Sequence, residues 1–305
     1  MKLSLLKQAT LNGIASASCV EYAQGNIYVV GDDSHFIYVL KYDLSVLHKI
    51  PLVENPIEGR VPKKQKTDIE CITQLTINGY PHLLLLGSGS KSPQRDKGYL
   101  IKLPTPYNKK HIVWSLDFSR WYHLLRMQLS LEGMSDELNL EAAATSEEYV
   151  YLVNRGSNTI FRFDLVEMIE YVQGHMDGIP FPTTFQTSLP SQNDVPFQIT
   201  GADIFEERFF FTATAENTDN AIDDGEIMGS LIGELRFIGG QKTRGAVATE
   251  AQVEVMSYQE VQTNIPLKVE SISVYEKENE NSFIGLAVSD DDLGGSEILM
   301  LQLDV

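Results

Sequence analysis

Apolar and polar residues alternate along most of the chain in short β-type runs, and the runs recur as hairpins. Five segments open in the same way: "SCVEY" (18–22), "ECITQ" (70–74), "EAAAT" (141–145), "TGADI" (200–204) and "ESISV" (270–274). Each begins with a carboxylate or hydroxyl, continues with a small residue (Cys19, Cys71, Ala142, Gly201, Ser271) and then places an apolar one. A turn signal follows each: Gln24-Gly25, Asn78-Gly79, Glu147-Glu148, Glu206-Glu207 and Asn279-Glu280-Asn281. Beyond the turn comes a strongly apolar strand: "NIYVVGDD", "PHLLLLGS", "YVYLVNRG", "RFFFTATA" or "SFIGLAVSDD".

An antiparallel hairpin pairs residues symmetrically about its turn. Folding each unit there sets Ser18 near Gly31, Glu70 near Gly87, Glu141 near Asn154, Thr200 near Ala213 and Glu270 near Ser289. Every partner is small or Asn, so the five units share one register. Third strands follow at "FIYVLKY", "GYLIKL", "TIFRFDL", "LIGELRF" and "EILMLQL", and fourth strands at "VLHKIPL", "HIVWSLDF", "TTFQTSL" and "VEVMSYQ". The pattern predicts an all-β, five-bladed β-propeller forming one domain over residues 1–305. The fifth unit lacks a fourth strand, and Lys2 to Ala9 belongs to no unit; pairing it outside Glu297 to Leu303 closes the ring and removes an exposed edge. Two helices are expected, over 120–131 and over 164–174, the second ending at Gly174. The first reads either as a lid or partner groove with Trp121 and Tyr122 as contacts, or as a connector on the propeller's side.

First strands line a propeller's channel, so Glu70, Glu141 and Glu270 should approach the axis at one level, with Ser18 and Thr200 completing the ring. In the two hydroxyl units the acid comes three residues later, at Glu21 and Asp203. Three residues of strand span about 10 Å, which puts this pair at another level unless a bulge shifts it. Two carboxylates roughly 6 Å apart repel by about 3 kcal/mol at an effective dielectric of about 20. Three readings relieve that repulsion. A Ca²⁺ ion could bind carboxylates, hydroxyls and the Asn154 carboxamide; a basic side chain could reach in, with Arg155 best placed; or each carboxylate could bond backbone N–H groups and staple the blades.

Charge adds to this picture. With 42 acidic against 24 basic residues the net charge is -18, which disfavours nucleic acid and anionic lipid and favours cations or a basic protein partner. Asp32-Asp33 and Asp290-Asp291-Asp292 end the second strands of units one and five, neighbours once the ring closes, and could hold a cation at the channel mouth or remain solvated tips. The run 216–227 carries Asp219, Asn220, Asp223, Asp224 and Glu226 without EF-hand spacing and reads as a solvated loop. The six histidines show no zinc-type pairing, and "GSGSK" (87–91) lacks phosphate-loop spacing. Cys71 beside Glu70 is expected to be a poor nucleophile. Two cysteines, no secretory leader pattern and no long apolar run predict a cytoplasmic protein with reduced thiols, outside any membrane. It is expected to be a monomer.

The stretches "TDIECIT", "LNLEAAAT", "QITGADIF" and "KVESISV" resemble the recurring Asp-Ile-Glu, Leu-Glu-Gly and Ser-Gly-Ala-acid strands of SdiA-regulated-type five-bladed propellers, and more distantly those of phytase-like esterase propellers. Cys71, Ala142 and Ser271 stand where that family has glycine or threonine, and the chain is expected to lack the N-terminal anchor often present in that family. The resemblance implies a calcium site involving Glu70, Glu141, Asp203 and Glu270, and brings no established enzymatic activity with it. Two functions follow as expectations: a calcium-binding module presenting its cation to a small anionic ligand, or a metal-dependent hydrolase of phosphoesters or lactones with Asp32, Asp290 or Glu21 as base.

Overall fold

The computed structural model describes residues 1–131, 133, 137–217, 225–239, 251–263, 265–291 and 293–305. Strand β1 (Lys2–Thr10) precedes blade one, which is β2 (Ala17–Ala23), β3 (Asn26–Gly31), β4 (Phe36–Leu40) and β5 (Val46–Pro51). Blade two is β6 (Ile69–Ile77), β7 (Tyr80–Gly87), β8 (Lys97–Lys102) and β9 (Ile112–Asp117), followed by helix α1 (Ser119–Leu131). Blade three is β10 (Leu140–Thr145), β11 (Tyr149–Asn154), β12 (Thr159–Asp164) and β13 (Thr183–Gln186), with α2 (Leu165–Val172) between its last two strands. A small hairpin, β14 (Ser191–Gln192) and β15 (Val195–Pro196), leads into blade four: β16 (Gln198–Phe205), β17 (Arg208–Asn217), β18 (Glu226–Ile238) and β19 (Gln252–Glu260). Blade five is β20 (Lys268–Asn279), β21 (Ser282–Asp290) and β22 (Ser296–Asp304), and β1 supplies its fourth strand.

All five blades are antiparallel sheets, with strands in chain order in blades one to four and β1 outside β22 in blade five, and together they form the five-bladed propeller that the hairpin pattern predicts. Closure is also as expected: β1 runs antiparallel outside β22, from Lys2 opposite Asp304 to Thr10 opposite Glu297. Among the described residues the buried apolar side chains fall into five clusters, one at each blade-to-blade contact. Burial grades outward accordingly: β3 and β11 are almost wholly buried, while the outer strands β5, β9 and β19 are largely exposed or alternating. Three hairpins turn at Gln24-Gly25, Asn78-Gly79 and Glu206-Glu207, where both central residues have positive φ, the backbone whose twist matches the flanking strands.

Each inner strand carries a β-bulge at the same place. Pairing steps from Ala17–Gly31 to Cys19–Val30, from Ile69–Gly87 to Cys71–Leu86, from Leu140–Asn154 to Ala142–Val153, from Ile199–Ala213 to Gly201–Thr212 and from Val269–Ser289 to Ser271–Val288. The extra residue is Ser18, Glu70, Glu141, Thr200 or Glu270, the column found by folding the sequence. The sequence register was therefore one residue off at the partner, because symmetric counting assumes no insertion. Small residues in the facing column have a steric cause. A Cβ on Gly87 would lie 2.6 Å from the Arg95 carbonyl oxygen, and one on Gly31 would clash with the Ala15 carbonyl oxygen.

Helix α1 buries Trp121, Tyr122, Leu125 and Leu129 between blades two and three, and the Tyr122 hydroxyl donates to the Gly87 carbonyl at 2.7 Å. Both aromatic residues are fully covered, so the helix is a packed connector, and the lid reading with Trp121 and Tyr122 as contacts is corrected. Helix α2 starts at Asp164, whose Oδ1 accepts from the N–H groups of Val166 and Glu167 at 2.9 and 3.1 Å. Among the described residues no helix is long and apolar enough to cross a membrane.

Candidate functional site: the acidic channel and its mouth

A bulge leaves its extra residue unpaired and re-aims its side chain, here toward the channel. In the two hydroxyl blades that side chain becomes a staple. Ser18 Oγ donates to the Ile69 carbonyl of blade two and Thr200 Oγ1 to the Val269 carbonyl of blade five, each at 2.6 Å. In the other three blades the bulge residue is Glu, and the surrounding side chains supply positive charge. Glu141 Oε1 accepts from Asn139 Nδ2 at 2.7 Å and lies 3.6 Å from Arg155 Nη1. Glu270 Oε1 lies 3.2 Å from Lys268 Nζ. Arg155 also pairs with Glu216, which Lys268 approaches at 3.8 Å and to which the Gly225 N–H donates at 2.8 Å.

On the blade-two side the cation is Lys66, whose ammonium pairs with Asp32 and, at 2.7 Å, with Asp68. Asp68 in turn accepts from Arg95 Nη1 at 2.5 Å and from Ser88 Oγ. Asp32, Asp68 and Glu70 each bring one oxygen to within 4.8 Å of the others. The Oδ1 atom of Asp32 is buried without a hydrogen-bond partner among the described residues. At the rim, Arg60 Nε bonds Asp33 at 2.6 Å and also feels Asp32 and Asp290, so the acidic loops of blades one and five are neighbours, as ring closure requires.

Proton affinities follow from this mixture of burial and charge. Burial pushes Glu70 well above the usual carboxylate range; Glu141, Asp68 and Asp32 add to the rise, and Lys66 opposes it. Burial likewise raises Glu141 to about 7 against the pull of Arg155, and Asp32 to about 6 against that of Lys66. Glu216 goes the other way. Burial would raise it, but Lys268, Arg155 and the Gly225 N–H together hold it below its ordinary value. Burial raises both thiols, Cys19 and Cys71, so neither is an activated nucleophile.

Glu21 and Asp203 form a separate pair. The bulges at Ser18 and Thr200 do not bring them to the glutamate level; they couple to each other instead. Asp203 accepts from the N–H of Val274 in blade five at 2.6 Å and from its neighbour Ile204 at 2.8 Å. Burial and the adjacent Asp203 push Glu21 well above the usual range, and burial raises Asp203 to about 7 despite those two bonds. Acids with raised folded pKa values hold protons that the unfolded chain has already released. Their contribution to stability is therefore intact below about pH 4 and is lost as pH rises toward about 7. Melting curves recorded from pH 5 to 8 should show stability falling across this window, and Glu21→Gln should flatten the fall; an unchanged slope in that variant would remove the pair as its source.

Of the residues singled out in the sequence, the structure brings Glu70 and Asp32 together, places Glu141 and Glu270 against Arg155 and Lys268, and sets Glu21 beside Asp203. Asn154 Oδ1 accepts from the Asn139 N–H at 2.6 Å, which commits the oxygen considered as a ligand. Asp219, Asn220, Asp223, Asp224 and Asp292 lie outside the described residues, and Glu226 sits exposed at the start of β18. Asp68, Lys66, Lys268 and Glu216 were missed. A signal for two of them was present: two residues before each bulge stands a polar side chain, Ser16, Asp68, Asn139, Gln198 or Lys268.

The profile of one sequence family matches residues 13–303. The chain belongs to DUF6929, a family of unknown function. No curated protein matches this DUF6929 member in sequence. Among solved structures it is similar to Myxococcus xanthus glutaminyl cyclase, with a TM-score of 0.46 and 11% identity over 99% of this chain and 97% of that one. It is also similar to the tail fiber of Staphylococcus aureus phage P68, with a TM-score of 0.50 and 10% identity over 100% of this chain and 53% of that one, so it spans about half of the tail-fiber chain. Native Bacillus subtilis arabinanase gives a TM-score of 0.44 and 9% identity over 96% of each chain. At these identities the likeness concerns the fold alone.

Proposed function

We propose that this DUF6929 propeller is a ligand-binding module whose channel mouth takes a Ca²⁺ ion on Asp32, Asp68 and Glu70. The observation that carries the reading is the buried, unpartnered Oδ1 of Asp32 beside two further carboxylates. The donor set is all oxygen, which suits a hard cation and disfavours a thiolate- or imidazole-seeking metal. Lys66 acts as a tethered counter-ion that holds Asp32 and Asp68 when no metal is bound. The calcium implied by the resemblance to SdiA-regulated-type propellers then belongs to this side of the channel, since Arg155 and Lys268 already neutralise the side formed by Glu141, Glu216 and Glu270. A bound cation would give the mouth a positive centre for a small anionic ligand.

Calorimetric titration of metal-stripped protein with CaCl₂ tests the reading. Wild type should bind, Asp32→Asn should lose binding, and Lys66→Met should bind about tenfold tighter or better, because the competing ammonium is gone. Calcium at about a hundred times its Kd should also stabilise the fold by about 2.7 kcal/mol. If neither wild type nor Lys66→Met binds calcium, the carboxylates serve only the internal ion pairs.

A further inference from the structure

The fold brings together two histidines that lie far apart in the sequence. His48 is on β5, the outer strand of blade one, and His111 immediately precedes β9, the outer strand of blade two. Their ring centroids are 5.2 Å apart and their planes are inclined at 49°. A metal bonded to an imidazole nitrogen at about 2.05 Å lies about 3.2 Å from that ring's centroid, so two imidazoles at a tetrahedral angle have centroids about 5.2 Å apart. The observed separation matches that value.

The Nε2 atom of His111 is buried and has no hydrogen-bond partner among the described residues. Buried polar atoms are nearly always satisfied, so an unpaired one calls for a partner, which an ordered water or an ion can supply. The Tyr28 ring meets His111 edge-on at 6.2 Å and fixes one side of the imidazole. His48 is exposed, leaving a route from solvent. We infer that His48 and His111 form an inter-blade site for a divalent transition-metal ion of the Cu²⁺ or Zn²⁺ type, with water in the remaining coordination positions. Imidazole nitrogen selects this class over Ca²⁺, and the site is independent of the carboxylates at the channel mouth. The net charge of -18 further favours the approach of a dication.

Metal-stripped, tag-free full-length protein titrated with ZnCl₂ and CuCl₂ in a non-chelating buffer tests the inference. Both ions should bind, copper more tightly, following the usual order of divalent affinities. His48→Ala and His111→Ala should each weaken binding at least about tenfold. His82→Ala should leave it unchanged. The Cu²⁺ electron paramagnetic resonance spectrum should show two imidazole nitrogens in wild type and one in either histidine variant. Because His48 is exposed, His48→Ala also guards against a misleading result from a poorly folded His111 variant. Unaltered binding in His48→Ala, or no binding of either ion by wild type at millimolar concentration, overturns the site. Neither outcome bears on the calcium reading, which the Asp32 and Lys66 variants decide.

Discussion

Deleting residues 2–10 is expected to lower the melting temperature by about 10 °C or more and to make the protein self-associate. Strand β1 pairs with β22 at eight positions. An antiparallel ladder of that length supplies about eight backbone hydrogen bonds, each with a net value of roughly 0.5–1.5 kcal/mol, or about 4–12 kcal/mol in all. Whole domains are stable by only about 5–15 kcal/mol, so this one strand carries a large share. The contribution is not mainly hydrophobic, since Leu5 and Leu6 are 43% and 50% exposed. What the deletion removes is the cover over the β22 edge, and an uncovered edge is a template for pairing with a second chain. Calorimetric melting with size-exclusion chromatography checks both effects. A monomeric variant with the wild-type melting temperature would mean that the ring is held closed by residues 11–17, where the N–H of Leu11 reaches the Ser296 carbonyl and that of Ala17 the Ser296 hydroxyl.

The blades were legible in the sequence for a physical reason. A propeller repeats one hairpin, so the same constraints on turn backbone, close approach and burial act five times and leave columns that survive insertions. The bulge column Ser18, Glu70, Glu141, Thr200 and Glu270 was found in this way, although as a register position and not as a bulge. What neutralises its carboxylates was only partly legible. Arg155 follows directly on β11 and was anticipated, whereas Glu216 reaches it from blade four and Lys66 comes from the linker before β6. Such contacts depend on how blades and linkers converge over the axis, which no local spacing records. The His48–His111 contact is hidden for the same reason, since it joins the outer strands of different blades. Trp121 and Tyr122 admitted two readings: their chemistry allowed contact with a ligand, but their helical spacing with Leu125 and Leu129 marks the buried face of a packed connector, the reading the structure bears out.

Arg155→Met should destabilise the protein by about 3–5 kcal/mol at pH 8, the range for removing one partner of a buried ion pair and leaving the other charge uncompensated. The guanidinium lies between Glu141 and Glu216, and all three side chains are about nine-tenths buried or more. Its removal should cost less at pH 5.5. Glu141 titrates at about 7 even with Arg155 opposing the rise, so without the arginine it takes up a proton readily and the charge disappears. Glu216 depends on Lys268 and Arg155 for its lowered proton affinity, so Arg155→Met with Glu216→Gln should recover part of the loss at pH 8. Urea denaturation of the single and double variants at the two pH values measures these differences. A single variant that loses less than about 1 kcal/mol at pH 8, with no dependence on pH, would show that Lys268 alone balances this side of the channel. The calcium reading would then have to be tested at Glu141 and Glu270 as well, because Arg155 would no longer neutralise that side of the channel and reserve Asp32, Asp68 and Glu70 for the cation.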